Sequence, residues 1–252
     1  MSIFSLVILK IPLLLVSSAC DHVAFTAPNP SAQSEERAKY DVKTGASEKG
    51  SFHVVRAATT LRSFIHAANL LELATIIRSI YHSEPQQCMK TFHGPHYIRD
   101  WSPSFVEPKI QISAQFLTGF TLMVLGASLR AISYRYLGKN FTFELAVRKE
   151  HKLVTTGPYY PVRHPSYTGA ILFMAGAIIS QMGHGSYWSE CGLWHGAWGL
   201  ILGLVYVALI AYVVVVIFLR MPNEDAILRE EFKEDWDAWA RRTPYRLIPF
   251  VH

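Results

Sequence analysis

The 252-residue chain contains few cysteines, and none of them is placed to bind a metal. Cys20, Cys88 and Cys191 lie far apart, no Cys-x-x-Cys pair occurs, and no cluster of His and Cys has the spacing of a zinc site. This pattern argues against a disulfide framework and against a bound metal. The net charge of +5 includes no basic run interleaved with aromatic residues, so no nucleic-acid-binding surface is predicted.

Long stretches of the chain also lack charge. Residues 110–133 contain one charged residue, Arg130, and residues 166–183 contain none. Residues 192–219 contain His195 but no Asp, Glu, Lys or Arg. Because a helix of about 20 apolar residues crosses a bilayer, we predict a transmembrane helix in each segment.

Two weaker apolar segments precede these three. Residues 61–81 are apolar but include two arginines, a histidine and a glutamate. Residues 3–18 are interrupted by Lys10 and Pro12, and form either a first span or a signal peptide with Ser17-Ser18-Ala19 as its cleavage site. We favour the uncleaved span because it agrees better with the topology that the loop charges predict. The expected fold is all-α, a polytopic transmembrane helical bundle of about five spans.

The composition divides the chain into three parts. Residues 1–60 contain the N-terminal hydrophobic segment and a polar linker, of which residues 24–51 are rich in Pro, Ser, Glu and Lys and are predicted to be disordered. Residues 61–133 contain the next transmembrane helices. Residues 134–252 combine a polar loop, a transmembrane hairpin and a C-terminal amphipathic helix.

Loop charges predict the orientation of this hairpin. Residues 134–165 and the tail from residue 220 carry six Lys or Arg each, whereas the connector 184–191 carries none. Positively charged loops stay on the cytosolic side of a membrane. The loop and the tail are therefore expected to share the cytosolic face and to build one site.

The tail is predicted to start a new helix after Pro222. Asn223 is placed to cap it, and Glu224 and Asp225 would lie in its first turn, where the helix dipole favours acids. Four apolar residues then share one helical face: Leu228, Phe232, Trp236 and Trp239. Such a face suits packing or anchoring at the membrane interface.

The residues most suited to chemistry are in two segments. Residues 159–169 read Y-Y-P-V-R-H-P-S-Y-T-G and lead into an uncharged apolar segment. Polar groups at a membrane entrance are costly to desolvate, so they usually line a cavity or bind a ligand. Arg220 and Glu224 lie one turn apart at the end of the last span. They either mark the membrane boundary and a helix start, or bind a zwitterion with the arginine on its carboxylate.

Taken together, these motifs resemble the isoprenylcysteine carboxyl methyltransferase family. H-K-L-V-T-T-G-P-Y, R-H-P-S-Y-T-G, R-x-x-x-E-D and a terminal L-I-P-F follow in this order between residues 140 and 251. The resemblance implies a multi-pass endoplasmic reticulum enzyme with its active site facing the cytosol. It would use S-adenosyl-L-methionine to methylate the C-terminal carboxylate of a prenylated cysteine during CaaX processing. Residues 134–252 would be its catalytic region, and prenylated proteins and the lipid bilayer its partners.

The resemblance also implies roles for individual residues. Arg220 and Glu224 would be catalytic, with Arg220 contacting the substrate and Glu224 the cofactor. The other implied cofactor contacts are His151, Lys152, Leu153, Val154, Tyr159, His164, Pro165, Ser166 and Tyr167. The family's F-G appears here as Phe232-Lys233, so the tail helix is expected to continue where relatives bend.

Three alternatives stay open. A methyltransferase of phospholipids or other small lipids shares the tail-end architecture, but its amine acceptor would require an acid near the methyl group. A non-catalytic membrane scaffold would be expected to have lost His164, Arg220 or Glu224, and all three are present. A membrane reductase with a nicotinamide cofactor has a similar C-terminal pattern.

Overall fold

The computed structural model describes residues 7–30, 48–82, 109–143 and 152–251, and all regular secondary structure in these ranges is helical. The helices are α1 (Lys10–Phe25), α2 (Glu48–His82), α3 (Ala114–Leu137), α4 (Pro165–Met182), the short α5 (Tyr187–Glu190), α6 (Ala197–Phe232) and α7 (Glu234–Arg242). The all-α expectation is thus confirmed for these residues. Most of the predicted disordered linker, residues 31–47, lies outside them.

Within the part of the chain that the structure describes, two helical segments are long and apolar enough to cross a membrane, Ala114–Asn140 and Ala197–Phe232. They correspond to the spans predicted at residues 110–133 and 192–219. The spans predicted at residues 61–81 and 166–183 fall within α2 and α4, and the one predicted at residues 3–18 overlaps α1. These apolar helices indicate a membrane protein, while the number of about five spans stays a prediction.

The pair α3 and α4 packs closely because glycines face each other across it. Gly119 lies against Gly176, and Gly126 lies against Gly169. A Cβ atom added to Gly126 would be 2.5 Å from the carbonyl oxygen of Gly169, and one added to Gly169 would be 2.6 Å from that of Gly126. Small residues let helix backbones approach where van der Waals packing holds membrane helices together. The contact fixes α3 and α4 relative to each other.

Helix α1 is held in the bundle by buried polar groups as well as by apolar packing. Lys10 is fully buried, lies 2.5 Å from the Glu72 carboxylate of α2 and donates to the carbonyl oxygen of Gly185 at 2.8 Å. Asp21 is also fully buried and lies 3.2 Å from the imidazole of His66. Ionisable groups inside a membrane bundle are normally paired in this way.

Helix α6 continues through Pro222, so the prediction of a new helix capped by Asn223 is wrong. A proline in a helix removes one backbone hydrogen bond, and membrane helices tolerate this where other groups satisfy the freed carbonyl. The acidic side chains that were expected to serve a helix start bind elsewhere. Glu224 accepts from Tyr167, and Asp225 contacts His164.

Lys233 separates α6 from α7, so the expectation that the tail helix continues through this position is wrong. Its φ of 48° lies in the left-handed region, which ends a right-handed helix. The predicted apolar face is consequently divided between two helices. Its four members nevertheless pack in one cluster with Tyr159: Leu228, Phe232, Trp236 and Trp239.

Cys191, just after α5, is disulfide-bonded, whereas Cys20 is free. The scattered cysteines did not predict this bond. Cys191 lies in the connector of the hairpin formed by α4 and α6, at the end opposite to the polar loop and the tail. Disulfides persist in oxidising compartments.

Candidate functional site

A cavity of about 170 Å³ lies where the start of α4, the C-terminal half of α6 and the loops after α3 meet. Its polar lining includes Arg130, His164, Tyr167, Arg220 and Glu224. Part of its apolar lining comes from four helices: Phe25, Val55, Ala58, Ala170, Val213, Val216 and Ile217. Other apolar lining residues surround the polar groups: Leu137, Phe141, Phe143, Leu153, Val154, Ile227, Leu228 and Trp239. Since Val213, Val216 and Ile217 precede Arg220 by one to two turns of α6, this part of the apolar lining extends toward the interior of the bundle.

The loop before α4 is held in place by the C-terminal tail. The backbone amides of Arg163 and His164 donate to the carbonyl oxygens of Tyr245 and Arg246, both at 2.9 Å. The hydroxyl of Thr243 donates to the carbonyl of Tyr160 at 2.9 Å. Two segments that loop charges predicted on one face are thus in direct contact.

Asp225 joins the loop, α6 and the tail through a single carboxylate. Its Oδ1 lies 3.0 Å from Nε2 of His164, and its Oδ2 lies 3.4 Å from guanidinium nitrogens of both Arg163 and Arg246. Burial lowers the pKa of the Arg163 guanidinium, and the charge of Asp225 opposes that shift. Since the Asp225 side chain is 8% exposed, water screens these contacts little.

Glu224, the neighbour of Asp225, lines the cavity instead. The hydroxyl of Tyr167 donates to its Oε2 at 2.7 Å. The rings of His164 and Tyr167 stack with their centroids 5.5 Å apart. The two adjacent acids therefore have separate partners, with Asp225 fixing the loop and Glu224 presenting a carboxylate to the cavity beside Tyr167.

Tyr159 forms part of the cavity wall next to the tail. Its carbonyl oxygen accepts a hydrogen bond from the indole of Trp239 at 3.3 Å. Burial raises the pKa of the Tyr159 phenol above its ordinary value, and the charge of Glu224 adds to that shift. The phenol therefore stays protonated at neutral pH and can donate a hydrogen bond.

The structure brings most of the predicted site residues to this cavity. Those that line it are Leu153, Val154, Tyr159, His164, Ser166, Tyr167, Arg220 and Glu224. Pro165 is buried as the first residue of α4, and the Lys152 side chain is exposed to solvent. His151 lies outside the described residues.

Neither Arg130 nor Asp225 was assigned to the site from the sequence. Arg130 of α3 lines the cavity and is 5% exposed. The sequence carried a signal for it, since a charge inside an apolar span usually marks a functional position. Asp225 was assigned to a helix start because its partner His164 is 61 residues away, and only the folded chain brings them together.

Comparison with known proteins extends these observations. Residues 118–230 match the family model described as the Isoprenylcysteine carboxyl methyltransferase (ICMT) family. This range includes Arg130, His164, Arg220, Glu224 and Asp225. The matched part of the chain therefore carries the polar lining of the cavity together with the carboxylate that fixes its loop.

Relatives from plants and an amoeba share this similarity. The chain is 30% identical over 139 residues to protein-S-isoprenylcysteine O-methyltransferase B of Arabidopsis thaliana, which covers 53% of this chain and 59% of that relative. It is 22% identical over 204 residues to a probable protein-S-isoprenylcysteine O-methyltransferase of Oryza sativa subsp. japonica, covering 80% and 90%. It is 33% identical over 88 residues to the protein-S-isoprenylcysteine O-methyltransferase of Dictyostelium discoideum, covering 34% and 37%. Residues 118–230 are thus similar to the isoprenylcysteine carboxyl methyltransferase family, and the chain spans 59% of the length of the Arabidopsis relative.

Proposed function

We propose that this chain uses S-adenosyl-L-methionine to methylate the C-terminal carboxylate of isoprenylated cysteine in proteins. Its similarity to this family and the names of its relatives support this activity. The observation that carries the proposal is the order of groups in the cavity, where Arg220 and Glu224 are followed by apolar side chains deeper in the bundle. An isoprenylated cysteine has the same order, a carboxylate followed by a long hydrocarbon chain.

The residues present also fit the cofactor. S-adenosylmethionine carries a carboxylate, an amine, ribose hydroxyls and an aromatic base. The buried Nε atoms of Arg130 and Arg220 make no hydrogen bond within the described residues, so cationic donors are available for anions. Glu224 offers a carboxylate that accepts from an amine or from hydroxyls. When bound, this cofactor supplies a methyl group activated by the positive charge on its sulfur.

The proposed cofactor contacts combine cavity residues with positions that follow from the family. Around the cavity they are Leu153, Val154, Tyr159, His164, Ser166, Tyr167 and Glu224. His151, Lys152 and Pro165 are added because they belong to the same motifs. The contacts of Tyr167 with Glu224 and of His164 with Asp225 support this set, since both hold cavity side chains in fixed positions.

The acceptor carboxylate requires no general base. An α-carboxyl group has a pKa of about 3.3–3.7, so it is already ionised near neutral pH. Arg220 would bind this carboxylate, and its guanidinium is oriented by donating to the carbonyl oxygen of Phe143. Binding beside an apolar wall removes water from the carboxylate, and a fixed orientation lowers the entropic cost of attack.

We also propose that the protein is a multi-pass protein of the endoplasmic reticulum membrane, with about five spans and a cavity that faces the cytosol. The excess of Lys and Arg in residues 134–165 and in the tail supports this orientation. The disulfide-bonded Cys191 at the opposite end of the hairpin supports it as well, because the reticulum lumen is oxidising. Residues 134–252 would carry most of the catalytic region.

The test is transfer of a radiolabelled methyl group by detergent-purified protein to N-acetyl-S-farnesylcysteine, with phosphatidylethanolamine as a second acceptor. We expect a base-labile methyl ester on the farnesylcysteine. Arg220→Ala and Glu224→Ala should each lower kcat/KM at least about tenfold, since each removes a charge-assisted hydrogen bond. Arg229→Ala, which changes an exposed arginine of the same helix, is the control.

Three other results of this methyl-transfer assay would each contradict part of the proposal. Wild-type activity in both site variants would contradict the proposed roles of Arg220 and Glu224. Label in the phospholipid alone would indicate a small-lipid methyltransferase. Label in neither acceptor, from folded protein that also binds no S-adenosylmethionine, would indicate a non-catalytic scaffold.

A further inference from the structure

Arg130 is a buried cation at the cavity whose hydrogen bonding is incomplete. Its side chain leaves α3 near the cytosolic end, and one terminal nitrogen donates to the carbonyl oxygen of Ser166 at 3.0 Å and to its hydroxyl at 3.3 Å. The guanidinium carbon lies 5.2 Å and 5.6 Å from the ring centroids of Tyr134 and Phe143. The Nε atom is buried and makes no hydrogen bond within the described residues.

Unlike Arg163 and Lys10, Arg130 has no acidic partner within the described residues. Arg163 lies 3.4 Å from Asp225, and Lys10 lies 2.5 Å from Glu72. No carboxylate of the described residues lies within 4 Å of the Arg130 guanidinium, where the neighbours are a carbonyl, a hydroxyl and aromatic rings. Removing a cation from water without a counter-ion is costly. A ligand anion in the adjoining cavity would supply the missing charge.

The position of Arg130 is set by the close approach of α3 and α4. A Cβ atom on Gly169 would lie 2.9 Å from Cγ of Arg130, so the stem of the arginine lies directly against the α4 backbone. This contact and the bond to Ser166 hold the guanidinium beside the H-P-S-Y segment. The guanidinium is therefore positioned before any ligand arrives, which reduces the entropic cost of binding.

We propose that Arg130 binds the α-carboxylate of the methyl-donor cofactor. This inference rests on the proposed function, in which two ligands each carry a carboxylate. Of the three cavity arginines whose Nε makes no hydrogen bond within the described residues, Arg163 is paired with Asp225, which leaves Arg130 and Arg220. Arg220 lies next to the apolar lining of α6, which suits the prenylated acceptor, whereas Arg130 contacts Ser166 in the segment assigned to the cofactor.

The experiment compares two nucleosides that differ in the carboxylate. S-adenosylhomocysteine carries the amino-acid group, and 5′-methylthioadenosine lacks it. Their dissociation constants are measured by isothermal titration on the wild type, Arg130→Gln and Arg130→Lys. Arg135→Gln, which changes an exposed arginine of the same helix, is the control. Melting without ligand shows whether each variant is folded.

We expect Arg130→Gln to weaken binding of S-adenosylhomocysteine at least about tenfold, because charge-assisted hydrogen bonds are the strong ones. Binding of 5′-methylthioadenosine should change less than about twofold, because this nucleoside has no carboxylate with which Arg130 could form such a hydrogen bond. Arg130→Lys keeps the charge but not the planar fork, so it should lose less affinity than Arg130→Gln. If Arg130→Gln does not fold, the ratio of the two constants in Arg130→Lys decides the question, and an unchanged ratio overturns the proposal.

The other results would also overturn it. Equal weakening of both nucleosides would mean that Arg130 shapes the cavity by packing. Unchanged nucleoside binding with a raised KM for farnesylcysteine would assign Arg130 to the acceptor. If the folded wild type binds neither nucleoside, the proposed function itself is rejected. This result is distinguishable from a failure of the Arg130 proposal because it is seen in the wild type, without any variant.

Discussion

His164 and Asp225 meet at 3.0 Å between Nε2 and Oδ1, although 61 residues and the hairpin of α4 and α6 separate them in the chain. Because the same carboxylate contacts Arg163 and Arg246, it joins the loop, α6 and the tail at one point. Glu224, one residue earlier, is left to bind Tyr167 in the cavity. Of these two adjacent acids, Asp225 therefore holds the loop in place, and Glu224 lines the cavity.

Replacing Asp225 by Asn tests this division. The change leaves two arginines near a neutral amide, and loss of one partner from a buried ion pair costs about 3 kcal/mol. We expect a clearly lower melting temperature in detergent and weaker binding of S-adenosylhomocysteine. Asp237→Asn is the matched control, since Asp237 pairs with Arg229 at 2.8 Å at the surface and its loss should cost little. Equal melting temperatures for the two variants would contradict the role of Asp225.

Tyr167→Phe removes the hydroxyl that donates to Glu224 at 2.7 Å while keeping the ring that stacks on His164. A hydrogen bond to a charged group contributes about 1.5–3 kcal/mol. We expect the dissociation constant of S-adenosylmethionine to rise at least about tenfold, as that range implies. Tyr160→Phe, at a ring that is 75% exposed, is the control and should bind normally. Normal binding by Tyr167→Phe would show that Glu224 needs no orientation by this hydroxyl.

The motifs predicted which cavity residues meet, but not how the backbone brings them together. The Lys and Arg content of the loops predicted that residues 159–167 and Arg220 lie on the same face of the membrane. This prediction requires only the sequence positions of the charged residues. From the sequence, a new helix was expected after Pro222 and a continuous helix at Lys233, because local backbone preferences favour both. The structure shows the opposite at each position. At Pro222 the helix is part of a long apolar segment, and at Lys233 the break lets Trp236 and Trp239 pack against Tyr159.

The close contact of α3 and α4 predicts that Gly126→Ala harms both stability and binding. The added Cβ would lie 2.5 Å from the backbone of Gly169, so the helices must separate. Overpacking of this kind costs about 1–3 kcal/mol. It should also move Arg130 away from Ser166 and weaken S-adenosylhomocysteine binding. Ser128→Ala, on the exposed side of α3, is the control, and a Gly126→Ala variant that melts and binds like it would contradict the packing argument.

Tyr159 predicts a loss of stability at alkaline pH. Burial raises the pKa of its phenol, so the folded protein favours the neutral form more than the unfolded chain does. The resulting stabilisation is complete below the unfolded value of about 10 and is lost as pH rises beyond it. Melting temperatures of the wild type should therefore fall between about pH 9 and 11, and those of Tyr159→Phe should fall less. Parallel curves for the two proteins would exclude this contribution.

Adjacent valines of α6 offer the sharpest test of the apolar end of the cavity. Val216 lines the cavity, whereas Val215 is 53% exposed on the outer surface of the helix. Val216→Phe should fill part of the apolar end and raise the KM for a prenylcysteine, with a larger effect for geranylgeranyl than for farnesyl. Binding of S-adenosylhomocysteine should stay unchanged, because Val216 is not among its proposed contacts, which lie on the loop, at the start of α4, at Arg130 and at Glu224. Val215→Phe adds the same side chain toward the lipid and should leave both constants unaltered. If the two variants behave alike, the prenyl chain does not occupy this end of the cavity.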